Sequence, residues 1–178
     1  MNINRVKTAI KIANFSLTNN SKQKIKIEYL PSIPNSTLIN NAPRIYLFVS
    51  DGVIKKIGGS AQKGGIKATL SFYANALSGS PGVPRFVIHH LIAEELTLNK
   101  KVEVFMITSP AVLAKVNGLF ESKEILVSSF KEMEDFCKAD YFKSENKYPD
   151  WNFQENHVPY PSRLAKLHNK FHNDRLNN

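Results

Sequence analysis

Four groups of residues have side chains whose type and spacing could do chemistry. Tyr46 and Lys56 lie on two apolar runs separated by Ser50-Asp51-Gly52, so a hairpin would set a phenol and an ammonium on facing strands beside Gly58-Gly59. Taken alone, Tyr46 reads as a half-buried strand tyrosine and Lys56 as a solvated strand lysine. The stretch Gly58-Gly59-Ser60-Ala61-Gln62-Lys63-Gly64-Gly65-Ile66-Lys67 joins bare glycines, which let a phosphate approach the backbone, to a helix start with unpaired N–H groups. It is neither a Walker loop nor a dinucleotide fingerprint, and by itself it reads as a flexible turn. Glu132, Glu134 and Asp135 fall in a helix-forming stretch. Glu134 borders the apolar stripe there, either as a solvated flank or as a carboxylate aimed into a cleft, where it could hold a hard divalent cation. Arg85 and His89, four apart, share a helix face and could both meet a phosphate, whereas His89 and His90 lack companion carboxylates for a metal.

These residues need elements to position them. Ile45–Val49 and Val53–Ile57 read as the two strands of an Asp-Gly hairpin. Ile66–Leu77 and Phe86–Leu98 show helical spacing, with Pro84 suited to a first turn. Lys101–Ile107 alternates as a third strand. A helix is expected from Ser109-Pro110 through Leu119 and a longer one over Lys123–Tyr141, with Leu126, Phe130, Met133 and Cys137 on one stripe. Ahead of this unit, residues 4–14 read as a weak amphipathic helix (Val6, Ile10, Ala13). Lys24–Leu30 alternates as a half-solvated strand, and residues 31–43 are a Pro/Asn-rich linker. A short basic helix near Leu164–Phe171 closes the chain. The expected class is α+β: a small central antiparallel sheet of hairpin, helices, third strand and helix. A basic extension over 1–43 and a basic tail over 157–178 would flank a main domain over 44–156.

Composition restricts the function. The 178 residues are 42% hydrophobic and 22% charged, an ordinary globular balance with enough chain to bury a core. The single cysteine, Cys137, rules out an internal disulfide framework and a cysteine-built zinc cluster. The first residues lack an apolar signal region, and no stretch has the ~18 consecutive apolar residues of a membrane helix, so a reducing, cytoplasmic location is expected. Formal charge is +9, a surplus that favours polyanions. Residues 1–43 hold six basic residues against Glu28, and residues 157–178 hold four against Asp174. Residues 101–156 instead hold seven basic against ten acidic residues, which suggests that some of those carboxylates have a task.

Over roughly residues 44–152 the ensemble resembles the GIY-YIG nuclease superfamily, in particular its small restriction-endonuclease branch. Arg44-Ile45-Tyr46 looks like the first signature tripeptide with Arg for Gly, and Lys56-Ile57-Gly58 looks like the second with Lys for Tyr. By spacing, the family's helix arginine falls on Lys67, unless Arg85 supplies that role from the next helix. Its metal-binding glutamate falls on Glu134, with Glu132 close behind, and Pro149-Asp150-Trp151-Asn152 looks like a terminal Pro-x-x-Asn.

The resemblance implies a site-specific endonuclease acting on double-stranded DNA, of the type II restriction kind. The alternatives for this chain are a nucleic-acid-binding module on the same scaffold without catalysis, or a homing or repair nuclease of the family. Glu134 would hold Mg²⁺, or another divalent cation such as Mn²⁺. Tyr46 would orient or deprotonate the attacking water, Lys56 would lower the tyrosine's pKa, and Lys67 or Arg85 would stabilise charge on the phosphate. DNA contacts are expected from Gly59, Ser60, Lys63, Arg85, His89 and Asn152 around the site, and from Arg163 and Lys166 on the basic tail. A near-palindromic target would imply a homodimer.

Overall fold

Asp51 and Gly52 both take positive φ, 44° and 77°, the backbone that a two-residue hairpin turn with the twist of its strands demands. They connect β3 (Arg44–Ser50) to β4 (Val53–Ser60). In the computed structural model, which describes residues 1–20, 22–110, 112–127 and 129–176, this hairpin forms one side of a five-stranded sheet. The other strands are β1 (Ile10–Asn20), β2 (Gln23–Tyr29) and β5 (Val102–Thr108), in the order β2-β1-β5-β3-β4. Every neighbouring pair is antiparallel, and the class is α+β as expected.

Alternation along β3 sends its side chains to two cores. Tyr46 and Phe48 pack with Phe15, Ile66, Leu70 and Ile88 on one face, beneath α2 (Gly65–Ala74) and α3 (Val83–Thr97). Ile45, Leu47 and Val49 pack on the other face with Ile57, Met133, Cys137 and Tyr141, beneath α4 (Phe130–Glu145). A four-residue helix, α1 (Asn35–Leu38), lies within the linker, and α5 (Ser162–Leu176) packs on α3. Among the described residues no helix is long and apolar enough to cross a membrane.

Three expected elements are corrected. Residues 4–14 are not a helix: a single turn over Ile3–Arg5 leads into β1, whose pairing with β5 shifts between Lys11 and Ala13. That bulge buries Ile12 and Ala13 consecutively, which hides the strand's period of two. The expected helix over 109–119 and the first turns of the one beginning at Lys123 are instead a second hairpin, β6 (Val112–Asn117) and β7 (Ser122–Val127). Asn117-Gly118 and the β-branched residues of both runs favour this pairing over helix. Residues 1–43, expected as an extension, supply two strands of the main sheet.

Candidate active site

The site forms where Tyr46 meets the outer strand. Tyr46 pairs with Gly58 across the hairpin, and a Cβ at Gly58 would overlap the tyrosine's hydroxyl and ring. Only glycine therefore lets the phenol lie across the backbone of β4. Its hydroxyl is 2.7 Å from that of Tyr73 on α2, and the two rings stand 6.0 Å apart. Tyr46, Gly59, Ser60, Thr69, Tyr73 and Arg85 line a cleft of about 180 Å³. Arg85, in the first turns of α3, lies with its guanidinium 4.2 Å from the Phe72 ring centroid, a stacking that fixes its direction.

Glu134 reaches the neighbouring glycine from the other face of the sheet. A Cβ at Gly59 would stand 2.6 Å from its Oε2 and 3.0 Å from the Phe130 ring and carbonyl. Glu134 Oε1 accepts from Lys138 at 2.6 Å, and Lys138 also pairs with Glu155. The carboxylate is therefore held by one oxygen while the other points at the strand. Among the described residues no group of three or more His, Cys, Asp or Glu side chains is arranged to hold a metal. Glu134 fits a hard cation that takes one protein carboxylate and completes its shell with water and phosphate oxygens, as Mg²⁺ commonly does. Glu132, expected as its neighbour in the site, is exposed in the first turn of α4.

Charge in the cleft is unevenly distributed. Burial pushes the Tyr46 phenol well above its ordinary value, Tyr73 and Glu134 add to the rise, and Arg85 opposes it. Burial likewise raises Tyr73, against its hydrogen bond to Tyr46 and the field of Arg85. Lys56 does not take the part expected of it. The cation acting on Tyr46 is Arg85, while Lys56 feels Glu155 and Glu134, and burial holds its ammonium below the usual range.

The remaining expected residues divide by position. Ser60 is buried, 2.8 Å from the Thr69 hydroxyl, and accepts from the Gln62 N–H at 3.0 Å, while Lys63 is exposed on the following loop. Arg44 is 1% exposed and donates to the carbonyls of Ala42 and Gln62, bracing the same loop. Lys67 turns away from the cleft: it donates to Asn35 Oδ1 at 2.6 Å and lies 5.3 Å from the Tyr29 ring centroid. His89 is fully buried, with Nδ1 2.8 Å from the carbonyl of Tyr73, and thus supports the tyrosine with no surface left for a phosphate. Asn152 is 2% exposed and pairs its amide with both the N–H (2.9 Å) and the C=O (3.0 Å) of Ile57, continuing the ladder beyond the last strand. Arg163 is exposed and paired with both oxygens of Glu94, and Lys166 is exposed on α5.

Tyr73, Lys138 and Glu155 were not expected. Tyr73 lies at helical spacing with Ile66 and Leu70 and reads as core, and Lys138 and Glu155 lie far from it in sequence.

The fold is similar to that of bacteriophage T4 EndoII, with a TM-score of 0.55 and 17% identity over 85% of this chain and 99% of that one. It also matches restriction endonuclease HPY188I in complex with product DNA, with a TM-score of 0.48 and 19% identity over 80% of this chain and 79% of that one. No protein-family model and no curated protein matches the chain.

Proposed function

We propose that the chain is a divalent-cation-dependent endonuclease of the GIY-YIG type that hydrolyses phosphodiester bonds in double-stranded DNA at specific sites, in the manner of a type II restriction enzyme. The observation that carries this reading is the convergence of Tyr46, Tyr73, Arg85 and Glu134 on Gly58-Gly59. Phosphodiester hydrolysis needs an oriented water, a cation on the non-bridging oxygens and relief of charge on the leaving oxygen. Tyr46 supplies the first. Because it keeps its proton at neutral pH, it holds the water through its hydroxyl oxygen, steadied by Tyr73. Arg85 supplies the second with a guanidinium whose fork matches two phosphate oxygens, a geometry that Lys67 would lack even if it faced the cleft. Glu134 would hold Mg²⁺ or Mn²⁺, which supplies Lewis-acid stabilisation of the leaving oxygen when bound.

Exposed Lys63 and Lys166, with the +9 overall charge, support a duplex backbone as the partner. A palindromic target would bring two copies of the chain together on it. The test is incubation of the purified protein with unmethylated phage DNA at low salt, with Mg²⁺ or with EDTA, beside the Glu134→Ala variant. Discrete fragments that need both Mg²⁺ and Glu134 are expected. Intact DNA that still shifts on a gel would instead identify a binding module, and the absence of both cleavage and shift would refute the nucleic-acid reading.

A further inference from the structure

On α5, His168 and His172 are four residues apart and project from one side of the helix. Their Nε2 atoms are 3.0 Å apart, and the carbonyl oxygen of Pro81 lies 2.9 Å from the first and 3.1 Å from the second. Hydrogen bonding accounts for at most two sides of this triangle. A neutral imidazole offers one N–H and one lone pair, and a carbonyl offers only lone pairs. If both Nε2 atoms carry protons, two N–H groups confront one another. If only one does, the bare Nε2 of the other ring confronts the carbonyl oxygen. A cation at the centre satisfies all three lone pairs at once.

We infer that His168, His172 and the Pro81 carbonyl form a binding site for a borderline transition-metal cation such as Zn²⁺ or Ni²⁺. Donors ~2.0–2.1 Å from zinc in tetrahedral or octahedral arrangement stand ~3.0–3.3 Å from one another, which matches the triangle. Two imidazole nitrogens select Zn²⁺, Ni²⁺ or Cu²⁺ over Mg²⁺ and Ca²⁺, which prefer all-oxygen shells. Ligation through Nε2 moves the His168 proton from the side of the Pro81 carbonyl to Nδ1, which is buried without a hydrogen-bond partner. The inner wall of the site is apolar: His168 is 8% exposed and meets the Phe86 ring edge-on at 5.2 Å. His172 is on the more open side, with Nδ1 3.4 Å from the Ser80 hydroxyl, so water can complete the shell. A bound cation would tie α5 to the segment that leads into α3, the helix of Arg85.

The inference does not depend on nuclease activity. It is tested by isothermal titration of the tag-free full chain with ZnCl₂ or NiCl₂, with excess Mg²⁺ present to occupy carboxylates, beside thermal unfolding with and without Ni²⁺. The expected result is one equivalent bound and a rise in Tm. In His172→Gln and His168→Asn the affinity should fall by at least the ~10–100-fold that loss of a mere outer-shell partner costs. Failure of the wild-type chain to bind stoichiometrically, or unchanged binding in His172→Gln, would overturn it. Because His172 is partly exposed, that variant decides the matter even if His168→Asn does not fold.

Discussion

Tyr46 and Glu134 approach adjacent residues of β4 from opposite faces of the sheet, the phenol against Gly58 and the carboxylate against Gly59. Side chains from the two sides of the sheet thus meet at one place, because successive residues of a strand face opposite ways and neither glycine has a Cβ to keep its visitor off. Gly58→Ala would displace the Tyr46 hydroxyl, and Gly59→Ala would push on Glu134 Oε2 and the Phe130 backbone. Each is expected to cost ~1–3 kcal/mol through overpacking and to abolish cleavage while DNA binding persists. Urea denaturation, a gel shift and a cleavage assay on the same preparations check this. A cleaving Gly59→Ala enzyme would remove Glu134 from the reaction.

Arg85 and Lys67 occupy opposite surroundings, and their variants should differ accordingly. Arg85 lines the cleft with Tyr46, whereas Lys67 is committed to Asn35 and the Tyr29 ring. Arg85→Ala is expected to lower the cleavage rate ~10²–10³-fold, the scale of losing one oriented electrostatic donor, and Lys67→Ala is expected to leave it nearly unchanged. Single-turnover kinetics on a defined duplex would decide between them, and the reverse order would return the phosphate-binding role to Lys67.

How much of this was readable in advance follows from how local each signal is. The β3–β4 hairpin, β5, α2 and α3 carry their own turn residues and periodicity, so Tyr46 could be placed on its strand, whereas Glu134 on α4 was singled out only by the family resemblance. β1 could not, because its bulge buries Ile12 and Ala13 together, and the strand exists through partners on either side. In β6, Val112, Leu113 and Val116 have helical spacing, and only the pairing with Ser122–Val127 decides for a strand. Within the site, Tyr73 differs from a core aromatic by a single hydroxyl contact to a residue 27 positions earlier. His89 shares a helix face with Arg85, as the spacing says, but periodicity does not reveal that the ring is taken up by the Tyr73 carbonyl. Asn152 was found for its place in a motif, and the structure gives it work on the strand's edge.

Tyr73 should matter to the reaction through Tyr46 alone. Tyr73→Phe keeps the ring packing against Phe48, at 5.1 Å, and removes only the 2.7 Å hydroxyl contact. A loss of ~10-fold in cleavage rate is expected, against ~10²–10³-fold for Tyr46→Phe, with the double variant no worse than Tyr46→Phe alone. A double variant whose losses simply multiply would mean that Tyr73 acts independently, and the double-mutant cycle measures this directly.

The Asn152 amide covers both polar groups of Ile57 in a buried setting, so its removal strands an N–H and a C=O together. Each unsatisfied group costs ~1–3 kcal/mol, and Asn152→Ala is expected to lower stability by ~2–5 kcal/mol in chemical denaturation. If Asn152 touched DNA instead, the variant would bind DNA less tightly with its unfolding midpoint unmoved.

Five tyrosines make stability sensitive to alkali. Burial raises Tyr29 and Tyr141 to about 12 and raises Tyr46, Tyr73 and Tyr160 above their ordinary 10. Between pH 10 and the raised values the unfolded chain loses protons that the folded chain keeps, so the folded state binds more protons and stability falls as pH rises. The contribution is whole below pH ~10 and is lost through pH ~12, the reverse of a depressed carboxylate. The urea midpoint is therefore expected to hold level up to pH ~10 and then decline, with Tyr29→Phe flattening part of the decline. His90 predicts the opposite slope in acid. Burial, with the charge of Lys24, lowers its imidazole to about 4, so the unfolded chain takes up the proton first. Its contribution is whole above pH ~6.5 and is lost as pH falls toward ~4. Burial lowers the His89 imidazole in the same direction, so His90→Asn should flatten part of that acid slope while leaving the alkaline one, and a variant with an unchanged acid slope would place the sensitivity elsewhere.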